Sequence, residues 1–226
     1  MVAAGHRLAK AIDHDDPRFK PPYHNQQHVC EVMLCSHYLA LRLKINKGET
    51  IEILLAALFH DFRHDSESLG NSPFCLERNS FNLAEPYLFD AGVTPSQRRK
   101  LAALVLATNP RVGLPVAHAC YRHYQDGAPL PEIPASAPEL AYLCVNGTVA
   151  KQALLLCAAD LLPSLGLTID YALMLQKKLA LEWRTTLGVE DKLRFIDNTR
   201  HIFIVCDFFM PNIDRLRAYL LAQLQI

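Results

Sequence analysis

Apolar residues recur along this 226-residue chain at helical spacing, and no stretch alternates with the two-residue period of a strand. Between residues 25 and 45 the spaced positions are Val29, Val32, Met33, Leu39 and Leu43. Thr50 can cap a second helix, IEILLAALF, that ends near His60 and Asp61. Helical patterns follow over 77–91, 95–108, 139–161, 169–187, 190–209 and 211–224, with Thr94-Pro95 as the start of the second of these. Ser136 and Glu139 stand at capping-box spacing, with Pro138 inside the first turn. Residues 110–134 are rich in Pro and Gly and read as loop with one short helix at 115–125. Helix must therefore pack on helix, and the expected fold class is all-α: a single compact multi-helix domain over residues 1–226.

Composition narrows the partners. Lys plus Arg equals Asp plus Glu at 23 each, so no net field draws the chain to nucleic acid or to an anionic membrane, and neither is expected. The seven cysteines are scattered without a CxxC pair, which points to reduced thiols in a cytoplasmic protein rather than a disulfide framework. MVAAGHRLAK lacks the apolar core of a signal peptide. No stretch is expected to span a bilayer, which takes about 20 residues. The best candidate, ALLLCAADLLPSLGL, carries Asp160 in its middle.

Three segments carry chemistry. In YHNQQH, His24 and His28 are four apart and share a face if the segment is helical. Both can bind one metal, or one binds while the other handles protons; a chance pair of surface histidines is the plain alternative. In LLAALFHDFRHD, an apolar run delivers His60 and Asp61 to a helix end. A carboxylate there opposes the helix dipole and needs a partner, which a divalent cation supplies. His64 follows His60 by four and shares its face if the helix continues. Asp160 is a lone acid in an apolar stretch, so it is either metal-bound or paired with an arginine such as Arg63 or Arg184. Taken together, these segments offer His28, His60, Asp61 and Asp160, an imidazole and carboxylate set without sulfur. Such a set suits one or two divalent ions among Zn, Mn, Mg, Ni and Fe, and leaves positions open for water and substrate.

The order of these residues resembles the HD-domain phosphohydrolase superfamily, and within it the catalytic domain of class I cyclic nucleotide phosphodiesterases. YHNQQHVCEV resembles that family's YHN-x-x-H-x-x-x-V segment. LAALFHDFRHDSESLGNSPF resembles its HD-x-x-H segment and the following Asn-containing loop. LVLATNP is similar to its ATD motif, and CAADLLPSLG to the segment with the last metal-binding Asp. LEWRTTLG and KLRFID resemble its closing helices and substrate clamp. The resemblance implies that His28, His60, Asp61 and Asp160 hold a first metal, with Asp61 bridging to a second. It implies that His24 protonates the leaving oxygen and His64 orients the attacking hydroxide. Asn71 and Thr108 would line the polar shell, and Phe195 would stack on a nucleobase.

Two positions depart from the family. Lys192 stands where a base-reading Gln is expected, and Asn109 replaces the acid of the ATD motif. A lysine cannot make the amide's paired donor and acceptor contacts. It binds a phosphate or carboxylate instead. The chain is also shorter than those catalytic domains and closer to small stand-alone bacterial HD proteins. The expected function is hydrolysis of a phosphoester bond in a small phosphorylated, nucleotide-like substrate by a monomer or homodimer. The alternatives are a cyclic nucleotide phosphodiesterase proper, a di-iron oxygenase drawing on His64, His118 and His123, and a non-catalytic metal-stabilised nucleotide sensor.

Overall fold

The computed structural model describes residues 1–14, 21–64 and 72–224. All regular structure among them is helical, as the spacing predicts. Helix α1 (Val2–Asp13) precedes α2 (Gln26–Arg42), α3 (Lys47–Phe59), α4 (Cys75–Asp90), α5 (Pro95–Ala107) and α6 (Gly113–Asp126). The short α7 (Ala141–Cys144) leads into α8 (Gly147–Leu165), followed by α9 (Ile169–Glu182), α10 (Val189–Thr199), a 3-10 stretch (Arg200–Phe209) and α11 (Met210–Gln223).

Helix α8 is the axis of the molecule. Its residues from Val149 to Leu165 are buried except Lys151 and Asp160, and it packs against α2, α3, α5, α6 and α9. A helix buried on every face must be apolar on every face, which explains the run around Asp160. The expectation that no stretch reaches membrane-spanning length is corrected here. Helix α8 is long and apolar enough to cross a bilayer, yet 83 % of its apolar window is packed inside the protein.

Several boundaries differ from the sequence reading for local reasons. Asn46, not Thr50, caps α3: its side chain accepts from the Glu49 amide at 2.9 Å, while the Thr50 hydroxyl donates to the Asn46 carbonyl. The expected helix over 139–161 is interrupted at Val145-Asn146, where the Asn146 side chain caps α8 by accepting from the Val149 amide. Ser136 and Glu139 form no capping box. The Ser136 carbonyl and the Glu139 carboxylate both accept from Arg78 instead. Thr94 does form a capping box with Gln97, with Pro95 at the first helical position. Helix α6 covers the short helix expected at 115–125, extends it slightly at both ends to Gly113–Asp126, and ends at Gly127 in the left-handed region (φ 73°). Cys30 is exposed, whereas Cys120, Cys157 and Cys206 are buried.

Candidate active site

Pro21 and Pro22 hold the chain out of helix before Tyr23 and His24. Asn25 then starts α2. Its side-chain oxygen accepts from the Gln27 amide at 2.9 Å and the His28 amide at 3.3 Å, and its nitrogen donates to the carbonyls of Pro21 and Pro22. His28 thus lies in the first turn of α2, whereas His24 precedes the helix. The two histidines do not share a helical face; their rings meet edge-on, 5.5 Å apart, because the capped entry folds back.

Helix α3 stops at Phe59, so His60 to His64 form a turn rather than further helix. Arg63 takes a left-handed conformation there (φ 53°), and His64 Nδ1 comes within 3.2 Å of Asp61 Oδ1. Asp160 projects from α8 toward the same point. His28 Nε2 lies 3.2 Å from Asp61 Oδ2 and 3.1 Å from Asp160 Oδ1. His60 Nε2 lies 3.0 and 3.6 Å from the same two oxygens.

This arrangement fits a divalent cation. The imidazoles are 3 % and 1 % exposed, and each Nε2 is buried without a well-formed hydrogen bond. His60 Nδ1 donates to the Ala57 carbonyl at 2.9 Å, so its neutral ring turns a lone pair on Nε2 toward carboxylate lone pairs. Donors on one cation with bonds of about 2.1 Å lie roughly 3.0–3.4 Å apart; three of these separations fall in that range, and His60 Nε2 to Asp160 Oδ1, at 3.6 Å, lies just beyond it. Four potential ligand atoms, from His28, His60, Asp61 and Asp160, lie within 4.8 Å of one another. Asp61 belongs also to a second group, with His24 and His64. Its two oxygens therefore face two neighbouring centres.

Burial opposes charge on His28, but hydrogen bonds and attraction from Asp160 and Asp61 outweigh it and hold the imidazole up at about 9. His60 is raised in the same way, and both carboxylates are held low against their own burial by these imidazoles. The carboxylates keep an open edge, at 14 % and 21 % exposure, which is where a substrate can approach.

Beside this cluster stands His24. Its Nδ1 lies 2.5 Å from Glu182 Oε1, and Glu182 Oε2 accepts from the amides of Tyr23 and His24 at 2.8 and 3.0 Å. The His24 ring stacks on His64 at 3.7 Å, nearly parallel at 6°. Burial and the neighbouring His64 lower the His24 pKa, against the pull of Asp61 and Glu182. Nε2 is the nitrogen left to exchange a proton.

The fold around this site is that of phosphodiesterase domains. One such domain, of the RhoPDE fusion protein from the choanoflagellate Salpingoeca rosetta, superposes with a TM-score of 0.61 at 18 % identity over 98 % of this chain and 88 % of its own. A second structure, the phosphodiesterase domain of the Salpingoeca rosetta rhodopsin phosphodiesterase, gives a TM-score of 0.66 at 18 % identity over 98 % and 80 %. No family model matches the chain, and no curated protein matches it in sequence.

The other expected residues are placed differently. Thr108 is buried at the end of α5, its hydroxyl donating to the Val105 carbonyl at 2.8 Å. Asn71 lies outside the described residues. Lys192 and Phe195 line a separate cavity that Tyr23 and Ser164 also border. His118 packs against His201 and His123 bonds to the Ala128 carbonyl, so of the three extra histidines only His64 reaches Asp61. Asp160 Oδ1 faces the imidazoles of His28 and His60.

Two carboxylates at the site were missed in the sequence. Glu182 sits at the end of α9, with its side chain 5 % exposed. Glu77, on α4, accepts from the Asn109 side chain at 3.0 Å, and its Oε2 is buried without a partner. Burial raises its pKa, and Asp61 adds to that effect. Asn109, where the resembled motif has an acid, thus acts as donor to Glu77.

Proposed function

We propose that this chain is a metal-dependent phosphohydrolase of the HD type that cleaves a phosphoester bond in a small, nucleotide-like substrate. The observation that carries this reading is the His24–Glu182 pair set beside a cation-ready cluster. A binding module has no need of a buried acid–base pair aimed at its metal site.

Residues His28, His60, Asp61 and Asp160 would hold a divalent ion, and Asp61 would share a second. When bound, such ions supply Lewis acidity to phosphoryl oxygens and a water of lowered pKa. The chain's own residues do the rest. His24, doubly protonated and held by Glu182, donates its Nε2 proton to the departing oxygen. Glu182 fixes the ring plane through three contacts and balances the imidazolium charge. His64 keeps Asp61 Oδ1 in place and, by stacking, sets the distance of His24 from it. The open edges of Asp61 and Asp160 leave room for the phosphoryl group.

The test is a panel of phosphomonoesters and phosphodiesters assayed with Mn, Mg, Zn, Ni and Fe in turn. Turnover should depend on added metal and vanish in Asp61→Ala. An unchanged rate in Asp61→Ala overturns the reading.

A further inference from the structure

A cavity of about 240 Å³ lies between α9 and α10, walled by Leu175, Leu179, Trp183, Leu187 and Phe195. Lys192 is the cation on its lining, only 6 % exposed. Its ammonium lies 5.6 Å from the centre of the Phe195 ring, and no carboxylate pairs with it among the described residues. Asp191 also borders the cavity; its Oδ2 accepts from the Gly188 amide at 2.9 Å and its Oδ1 faces Arg194. Burial alone draws the Lys192 pKa down to about 8, so the group is still charged at neutral pH.

A buried ammonium has three donors and no acceptor, and a ring face answers only part of that demand. The cavity is also held in shape before any ligand arrives. Gln176 on α9 donates to the carbonyls of Leu187 and Gly188, both at 2.8 Å, and pins the loop that leads into α10. Apolar and aromatic walls around one unanswered positive charge match a flat apolar body ending in oxygen acceptors of opposite charge. We propose that this cavity is an oxyanion subsite, in which Lys192 receives a carboxylate or phosphate carried on a planar part of the substrate. Tyr23 forms one wall and meets the His24 ring edge-on at 4.7 Å, so a ligand seated here continues toward the proton donor. As a binding site the cavity stands by itself; as a substrate subsite it rests on the phosphohydrolase reading.

Trp183, the single tryptophan, lines this cavity and reports its occupancy by fluorescence. Metal-loaded protein is titrated with benzoate and phenylphosphonate, the two oxyanion sources, and with benzamide as their uncharged counterpart. At least one oxyanion should bind tenfold or more tightly than benzamide, and which one does identifies the source. Lys192→Met, which keeps the chain shape and needs no counter-charge, should fold normally and lose that preference. Lys192→Gln should shift it toward benzamide. Equal affinities in the wild type, or an unchanged preference in Lys192→Met, overturn the proposal.

A kinetic arm compares 4-carboxyphenyl methyl phosphate with phenyl methyl phosphate. A preference in kcat/KM of at least tenfold for the former, lost in Lys192→Met, places the subsite on the substrate path. Turnover of both at equal rates overturns that placement. Turnover of neither, with oxyanion binding intact, defeats the phosphohydrolase reading and not the oxyanion site.

Discussion

At the scale of single residues, the decisive contact joins His24 to Glu182. A protonated imidazole in a buried place loses stability through desolvation, and the carboxylate offsets part of that loss. His24→Ala should therefore lower kcat by about 10²–10⁴-fold on substrates with poor leaving groups, the usual worth of a general acid. Esters of 4-nitrophenol should suffer much less, because that leaving group needs no proton. Equal losses on both would show that His24 does not act as the acid. Glu182→Gln keeps a hydrogen bond but removes the charge. Loss of an adjacent opposite charge lowers a pKa by roughly 1–3 units, so the alkaline limb of the rate profile should move down by about one unit or more. Activity would then fall at pH 7 and recover toward acid, which a kcat/KM profile measures. Whereas His28 stood in the polar segment YHNQQH, His60, Asp61 and Asp160 were legible because each is a polar group in, or at the end of, an apolar run. Glu182 was not, since an acid beside Trp183 on an exposed helix end looks like any solvated glutamate. Only the fold brings it to a histidine so far away in sequence.

At the scale of elements, two asparagine caps separate stability from function. Asn25 starts α2 and also ties down the Pro21-Pro22 carbonyls that lead to His24. Asn46 starts α3 at the end away from His60. Each change to Ala should cost about 1 kcal/mol in unfolding free energy. Asn25→Ala should also lower kcat, because His24 loses its anchored approach, while Asn46→Ala should leave kcat unchanged. Denaturant melts and initial rates on both variants check this, and equal kcat effects would contradict it. These caps were partly readable. Asn46 and Glu49 have the spacing of a helix start, and Pro-Pro before Asn25 argues against helix at His24. The apolar periodicity around Thr50 and Val29 masked both signals. The break at Val145-Asn146 was hidden similarly, between helices that are apolar on either side.

For the molecule as a whole, α8 is the axis on which the ligands of α2 and α3 meet Asp160. The fold class was legible from the helical spacing of apolar residues in the other segments, whereas all-round apolarity such as that of α8 carries no period of its own. The cluster also couples metal to stability. In metal-stripped protein the imidazoles of His28 and His60 carry protons that offset the two carboxylates, with His28 held at about 9. An unfolded histidine titrates near about 6.5, so this stabilisation is complete below that pH and drains away as pH rises toward 9. The Tm of stripped protein should fall across that window, while the Tm of metal-loaded protein should stay higher and flatter. Parallel curves for the two forms would refute the coupling.

Asp160 also sets an order of events during synthesis. Three of the four clustered residues, His28, His60 and Asp61, precede α4, and the fourth, Asp160, is made only after α4 to α7 and most of α8. A chain cut short before Asp160 therefore carries an incomplete set, and full metal capture would require α8 to have been made.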